Sequence, residues 1–151
     1  MFHINSLVPE LWCSNFDENI RFYTGVLGFS VAQRRGGDKH AYLSLQGSQI
    51  MIVFWEQDGT WEPAPFEKPY GRGANFQFLV NNVCDIHDAV TSADLKPFVQ
   101  IYTKMYWRTD QMDERTEFAV LDPDGYLLRF SQVNSHRPIV QADIDKLGHD
   151  T

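Results

Sequence analysis

The stretch Glu117-Phe118-Ala119-Val120-Leu121-Asp122-Pro123-Asp124-Gly125-Tyr126-Leu127-Leu128-Arg129-Phe130 reads as two strands joined by a Pro-Asp-Gly turn. Pro123 presets φ at the second turn position, and Gly125 can take the positive φ that closes such a turn. On the second strand the inward candidate is Arg129, and the functional reading turns on what that guanidinium excludes.

Working outward, a strand–helix–three-strand pattern occurs twice. Ser6 to Cys13 reads as a strand with Val8, Glu10 and Trp12 on one face. Asn15 is placed as an N-cap with Glu18 three positions on, and Phe16, Ile20, Tyr23 and Leu27 form an apolar helical stripe stopped by Gly28. Strands follow at 29–34, 41–45 and 49–55. Residues 57–72 carry Gly59, Pro63, Pro65, Pro69 and Gly71 and read as a connection, in which Trp61, Phe66 and Tyr70 predict packing onto something. The pattern restarts at 75–80. Val83, Ile86, Val90 and Ala93 give a second stripe, with Asn82 or Asp85 near its start, and strands follow at 96–102, 116–121 and 126–133. Val8 and Tyr23 are separated by 15 positions, as are Asn75 and Val90, so the halves superpose without a gap. The fold class is α+β: two tandem strand–helix–three-strand modules at about 5–56 and 74–133, a linker at 57–73, one domain over 1–135, and a polar tail or short surface helix over 136–151. The second module has a longer hairpin, 103–115, containing Tyr106 and Trp107.

Bulk properties narrow the function. A chain of 151 residues with 43% hydrophobic and 14% aromatic content can bury one core. A net charge of −7 argues against nucleic acid or an anionic membrane surface as partner. It favours a cationic ligand, although a solubilising surface accounts for the same charge. Cys13 and Cys84 lack metal-ligand spacing and are too few for a disulfide framework, so both are expected as buried thiols. No signal segment or membrane-spanning run is visible, and a cytoplasmic location is expected. No Ser or Cys has an evident His partner, no Gly-rich phosphate cradle is present, and His87 is expected to face water.

Two passages carry a resemblance. Ser14-Asn15-Phe16-Asp17-Glu18-Asn19-Ile20-Arg21-Phe22-Tyr23, followed by Val26-Leu27-Gly28-Phe29, is similar to the first helix of the glyoxalase/bleomycin-resistance/dioxygenase (vicinal oxygen chelate) superfamily, and 117–125 is similar to its closing hairpin. The resemblance covers about residues 5 to 133. It implies curved sheets enclosing a cup-shaped site, often between the subunits of a homodimer. In the superfamily's enzymes four strand positions hold a divalent metal. Carried onto this sequence, those positions are Val8, Ile52 (with the register open to a slip of one), Asn75 and Arg129. Aliphatic side chains offer no lone pair, and arginine offers only donors and a permanent positive charge. The implied branch is therefore the one resembling metal-free bleomycin-resistance proteins, which bind a bulky cationic antibiotic without altering it. That branch often has a Trp just before the Glu-Phe-Ala strand, where this chain has Glu114-Arg115-Thr116.

The expected ligand-binding residues are Glu10, Trp12, His40, Tyr42, Trp55, Asn75, Gln77, Trp107 and Arg129, with no catalytic residue, metal or cofactor. The expected partners are a small molecule and a second copy of the chain. Each assignment has a plain structural counterpart: a Glu10–Arg129 ion pair closing the cup floor, rings that merely pack, and a solvated His40 at a turn. Two competing readings stand beside the binder. One is a metal-dependent lyase, transferase or dioxygenase with displaced ligands such as Glu10, His40 or Glu56. The other is a silent interaction domain whose cup is filled by Trp12, Trp55 and Arg129.

Overall fold

The computed structural model describes residues 2–36, 39–56, 61–62 and 64–147. Its elements are β1 (Glu10–Cys13), α1 (Phe16–Arg21), β2 (Ser30–Arg34), β3 (His40–Leu45), β4 (Ser48–Phe54), β5 (Asn75–Leu79), α2 (Val83–Ser92), β6 (Val99–Trp107), β7 (Gln111–Leu121), β8 (Leu127–Pro138) and α3 (Gln141–Leu147). They form two four-stranded sheets of the same topology, β1-β4-β3-β2 and β5-β8-β7-β6. In each, the strand before the helix pairs in parallel with the last strand of its module, and the remaining pairs are antiparallel.

Both helices begin as the sequence dictates. The Asn15 side chain accepts from the Glu18 N–H, and the Asn82 side chain accepts from the Cys84 N–H. Asn82 rather than Asp85 is the cap. Helix α1 widens into a turn over Phe22–Val26, where the Leu27 N–H reaches back five residues to the Phe22 carbonyl. Gly28 then takes φ +78 and ends the helix.

Strand alternation puts Leu11, Cys13, Leu43, Ile50 and Ile52 of the first sheet, and Phe78, Phe118, Val120, Leu128 and Phe130 of the second, into one core under the helices. A file of rings crosses between the modules. Tyr23 meets Phe29 at 5.4 Å, Phe29 meets Phe78 at 5.3 Å, and Phe78 and Phe118 stack on either side of Phe130 at 5.4 Å. Helices α1 and α2 leave the opposite face of each sheet open.

The two passages that carried the resemblance bind each other. Asp124, in the closing turn, accepts from the Ser14 N–H at 3.1 Å, the Ser14 hydroxyl at 2.6 Å and the Asn19 amide at 2.8 Å, and pairs with Lys68 at 2.8 Å. Burial would push its carboxyl up, but Lys68, Ser14 and Asn19 outweigh burial and hold it below the ordinary value. Asp122 accepts from the Tyr23 hydroxyl and from the Tyr126 and Asp124 N–H groups. For Asp122 burial wins, and its pKa is pushed up to about 6. The linker closes over this joint: the Tyr70 N–H donates to the Asp124 carbonyl. A β-carbon at Gly125 would lie 2.5 Å from that of Pro69, so a glycine is required there for close approach as well as for its φ of +94.

Several expectations are corrected. The 103–115 hairpin continues β6 and β7, and β8 runs through His136 to Pro138 before α3, so the tail starts later than position 136. The Arg137 guanidinium clasps Asp143 of α3 at 2.6 and 2.8 Å. Cys84 is exposed and only Cys13 is a buried thiol. His87 does not simply face water, because its ring stands edge-on to Phe118 at 5.3 Å. Trp61 is 84% exposed, whereas Phe66 and Tyr70 stack as expected, 4.0 Å apart. Gly59 and Pro63 of the predicted connection lie outside the described residues.

Candidate functional site

The open face of the first sheet is ordered in cross-strand rows. Trp12, Val53 and His40 form one row, and Glu10, Met51 and Tyr42 the next. Two adjoining clefts lie over these rows. One, of 410 Å³, is lined by Glu10, Trp12, His40, Trp55, Glu56 and Trp61 among others. The other, of 350 Å³, is lined by Glu10, Trp12, Trp61, Glu62, Phe66 and Tyr126 with Ala64 and Pro65. The walls are fixed in place. Trp12 and Trp55 both stand edge-on to Phe66, at 5.3 and 5.0 Å. The Trp12 indole N–H donates to Glu10 at 3.0 Å, and that of Trp55 donates to Glu62 at 2.5 Å. Rings with acceptor faces and carboxylates at their edges make a surface that attracts a flat cation. Tyr42 sits beside His40, ring centres 5.2 Å apart, one row further along. His40 is buried at the start of β3 and is not a solvated turn residue.

The open face of the second sheet is a hydrogen-bonded network. Glu117 is 2% exposed. It accepts from the Tyr106 hydroxyl at 2.5 Å and the Tyr102 hydroxyl at 2.8 Å. Burial alone would raise its carboxyl. The hydroxyls of Tyr106 and Tyr102, with the Arg129 guanidinium nearby, outweigh burial and hold it below the ordinary carboxylate value. Further along the same face Asp113 pairs with Arg115 at 3.0 Å and Arg108 at 3.3 Å. Asn75, Gln77 and Arg129 lie on this face too, and the Arg129 guanidinium donates to Gln77.

The sequence-derived site is therefore divided. The structure brings Glu10, Trp12, His40 and Trp55 together, with Tyr42 adjacent, on one sheet, and Asn75, Gln77 and Arg129 on the other. Glu10 and Arg129 are not paired within the chain, since each binds a neighbour on its own sheet. Trp107 lies across from Met112, on the opposite side of β6 from Tyr106, and joins neither group. Sequence reasoning missed Glu117, Tyr102 and Tyr106. Alternation from Arg129 through the closing turn already put Glu117 on its face. The tyrosines lay at the end of a strand and in a segment read as a hairpin.

The register at the second metal position is also settled. Ile52 pairs with Leu11, is fully buried and faces the core; Met51 and Val53 flank it on the open face. Of the residues then available at the four positions, Val8, Met51 or Val53, Asn75 and Arg129, none is a carboxylate or imidazole, and one is a cation. These residues do not fit a divalent metal. Among the described residues no group of three or more His, Cys, Asp or Glu is placed to hold an ion, Glu10, His40 and Glu56 included.

Paired modules with open sheet faces over a shared helical core define a class of small cup-forming α+β proteins. The chain belongs to the glyoxalase/bleomycin resistance protein/dioxygenase superfamily, whose family model matches residues 2–130. It is 28% identical over 131 residues to a bleomycin resistance protein of Geobacillus stearothermophilus, covering 83% of this chain and 94% of that protein. A bleomycin resistance protein of Staphylococcus aureus matches to the same extent. Among solved structures, one from the mobile metagenome of Vibrio pseudocholerae superposes with TM-score 0.63 at 19% identity, covering 89% of this chain and 99% of that one. A bleomycin resistance determinant encoded on the transposon Tn5 superposes with TM-score 0.57 at 20% identity, covering 87% and 100%. Those two structures share the fold.

Proposed function

We propose that the protein sequesters a small, bulky, planar or cationic molecule of the bleomycin type in the cytoplasm, by binding it without breaking a bond. The observation that carries this reading is the cleft in which Trp12, Trp61 and Phe66 alternate with Glu10 and Glu62. Stacking on the indoles and attraction to the carboxylates both favour a flat cation, and burial of the ligand lowers its free concentration. The named relatives are bleomycin resistance proteins, which supports the choice of ligand class. The metal-incompatible positions Val8, Asn75 and Arg129 count against the enzymatic alternative.

The working unit is proposed to be a homodimer. The second sheet also exposes Leu79 and Val133, on the far side of the Arg129 row from Leu121 and Leu127, and a second copy would cover them. The test is a thermal-shift series with bleomycin and with divalent metals, followed by mass analysis of the recovered compound. A rise in Tm with bleomycin, none with metal and an unchanged ligand mass are expected. A metal-dependent change in the ligand would replace sequestration with catalysis. Light scattering would check the dimer.

A further inference from the structure

Two guanidiniums on the open face of the second sheet are partly buried, and they are treated differently. Arg115 is neutralised by direct contact with Asp113 at 3.0 Å. Arg129 has no carboxylate within ion-pair distance among the described residues; its hydrogen-bond partner is the neutral Gln77 amide. The Nε–H of each is buried with no acceptor, so the difference between them is the carboxylate contact that Arg115 has and Arg129 lacks. Glu117 influences Arg129 through space without touching it, while one of its carboxylate oxygens accepts from both the Tyr102 and the Tyr106 hydroxyl. A planar group with five N–H donors is thus held by one amide in a half-buried setting. Desolvation makes an uncompensated positive charge costly there, and it strengthens attraction to any anion that arrives.

The neighbours give the place its shape. In the same cross-strand row stand Gln77, Arg129, Ala119 and Val99. Ala119 is too short to cover the guanidinium from the β7 side. Leu127 and Leu121 supply an apolar flank in the next row, where Asn75 adds an exposed amide. We infer that this face is a recognition site for a small molecule bearing a carboxylate, with Arg129 as its anchor, Gln77 orienting the guanidinium and the leucines meeting the ligand's apolar body. The site is distinct from the acidic, aromatic clefts on the first sheet and selects the opposite charge.

The test uses benzoate as probe and benzamide as its neutral counterpart, with the full chain observed by nitrogen-15 NMR at the arginine side chains. Benzoate should move the Arg129 Nε–H signal, and benzamide should bind at least about tenfold more weakly, because only the carboxylate makes a charge-assisted pair. Followed at the backbone amides of Gln77 and Ala119, Arg129→Met should abolish the benzoate response and Arg129→Lys should retain a weak one, since an ammonium lacks the planar fork. Trp12→Ala should leave it unchanged, which separates this site from the proposed cation cleft. Should Arg129→Met fail to fold, the signal in the native chain and the lysine variant decide. Equal shifts with benzamide, or no shift at millimolar benzoate, would overturn the inference. A signal that moves with protein concentration alone would assign the guanidinium to a contact between copies, and would also overturn it.

Discussion

The two open faces occupy equivalent places in duplicated modules, yet they use their polar residues in opposite ways. Over the first sheet Glu10 and Glu62 each accept from the indole N–H of a ring that lines a cleft. On the second, Glu117 and Asp113 are almost fully buried and are held by tyrosine hydroxyls and by arginines respectively. The first face keeps Glu10 exposed at its cleft. The second spends most of its charge on holding a long three-stranded arm together, leaving Arg129 as the exception. Duplication fixed the backbone, and the side chains then divided the labour.

Substitutions should separate those roles. The largest effect is expected at the joint, because it serves both faces. Asp124→Ala strands the Ser14 and Asn19 donors and Lys68, and should cost about 3–5 kcal/mol in chemical denaturation, weakening both faces together. Next comes a pH effect at the same joint. Asp122 has a folded pKa of about 6, above its ordinary 3.8, so the native state binds the extra proton between those values. Its contribution is therefore fully present below the lower value and is lost as pH rises through the upper one, by about 3 kcal/mol. Denaturation curves of Asp122→Asn should lack that decline relative to the native chain.

On the second face, Glu117→Ala leaves two tyrosine hydroxyls without their acceptor and should cost about 2–3 kcal/mol while leaving the first sheet's clefts intact. The carboxylate's folded pKa is lowered, so its stabilisation is present above its ordinary pKa and is lost as pH falls through the folded value. Glu117→Gln should flatten that acid limb. The smallest change in stability is expected on the first face. Glu10→Gln should alter unfolding by less than about 0.5 kcal/mol, since Glu10 is exposed, yet weaken a planar cation by up to about tenfold in calorimetric titration.

Much of this was legible in the chain because local chemistry agreed with the fold. The Asn15 cap, the Gly28 stop and the Pro-Asp-Gly turn all carried over, although β1 starts at Glu10 and leaves Val8 outside it, whereas Asn75 opens β5. What was not legible depended on pairing at a distance. The side of β4 that carries Ile52 is set by its register with Leu11, and an apolar run such as Ile50-Met51-Ile52-Val53 has no alternation to reveal it. Glu117 could be assigned to a strand, but its partners Tyr102 and Tyr106 are brought to it by β6 crossing from the far end of a hairpin. Trp12 was legible from strand alternation as an inward-facing ring, and Trp55 as an aromatic at a strand end. Their convergence required Phe66, from a linker with no periodic pattern.

The most direct measurement is calorimetric titration of proflavine, a flat aromatic cation, into the native chain and Trp12→Ala, with mass analysis of the dye afterwards. Saturable binding by the native chain, weakened at least about tenfold by the substitution, with the dye unaltered, is the predicted result. Equal affinity in the two proteins, or a dye consumed with turnover, would contradict a sequestering cleft on the first sheet.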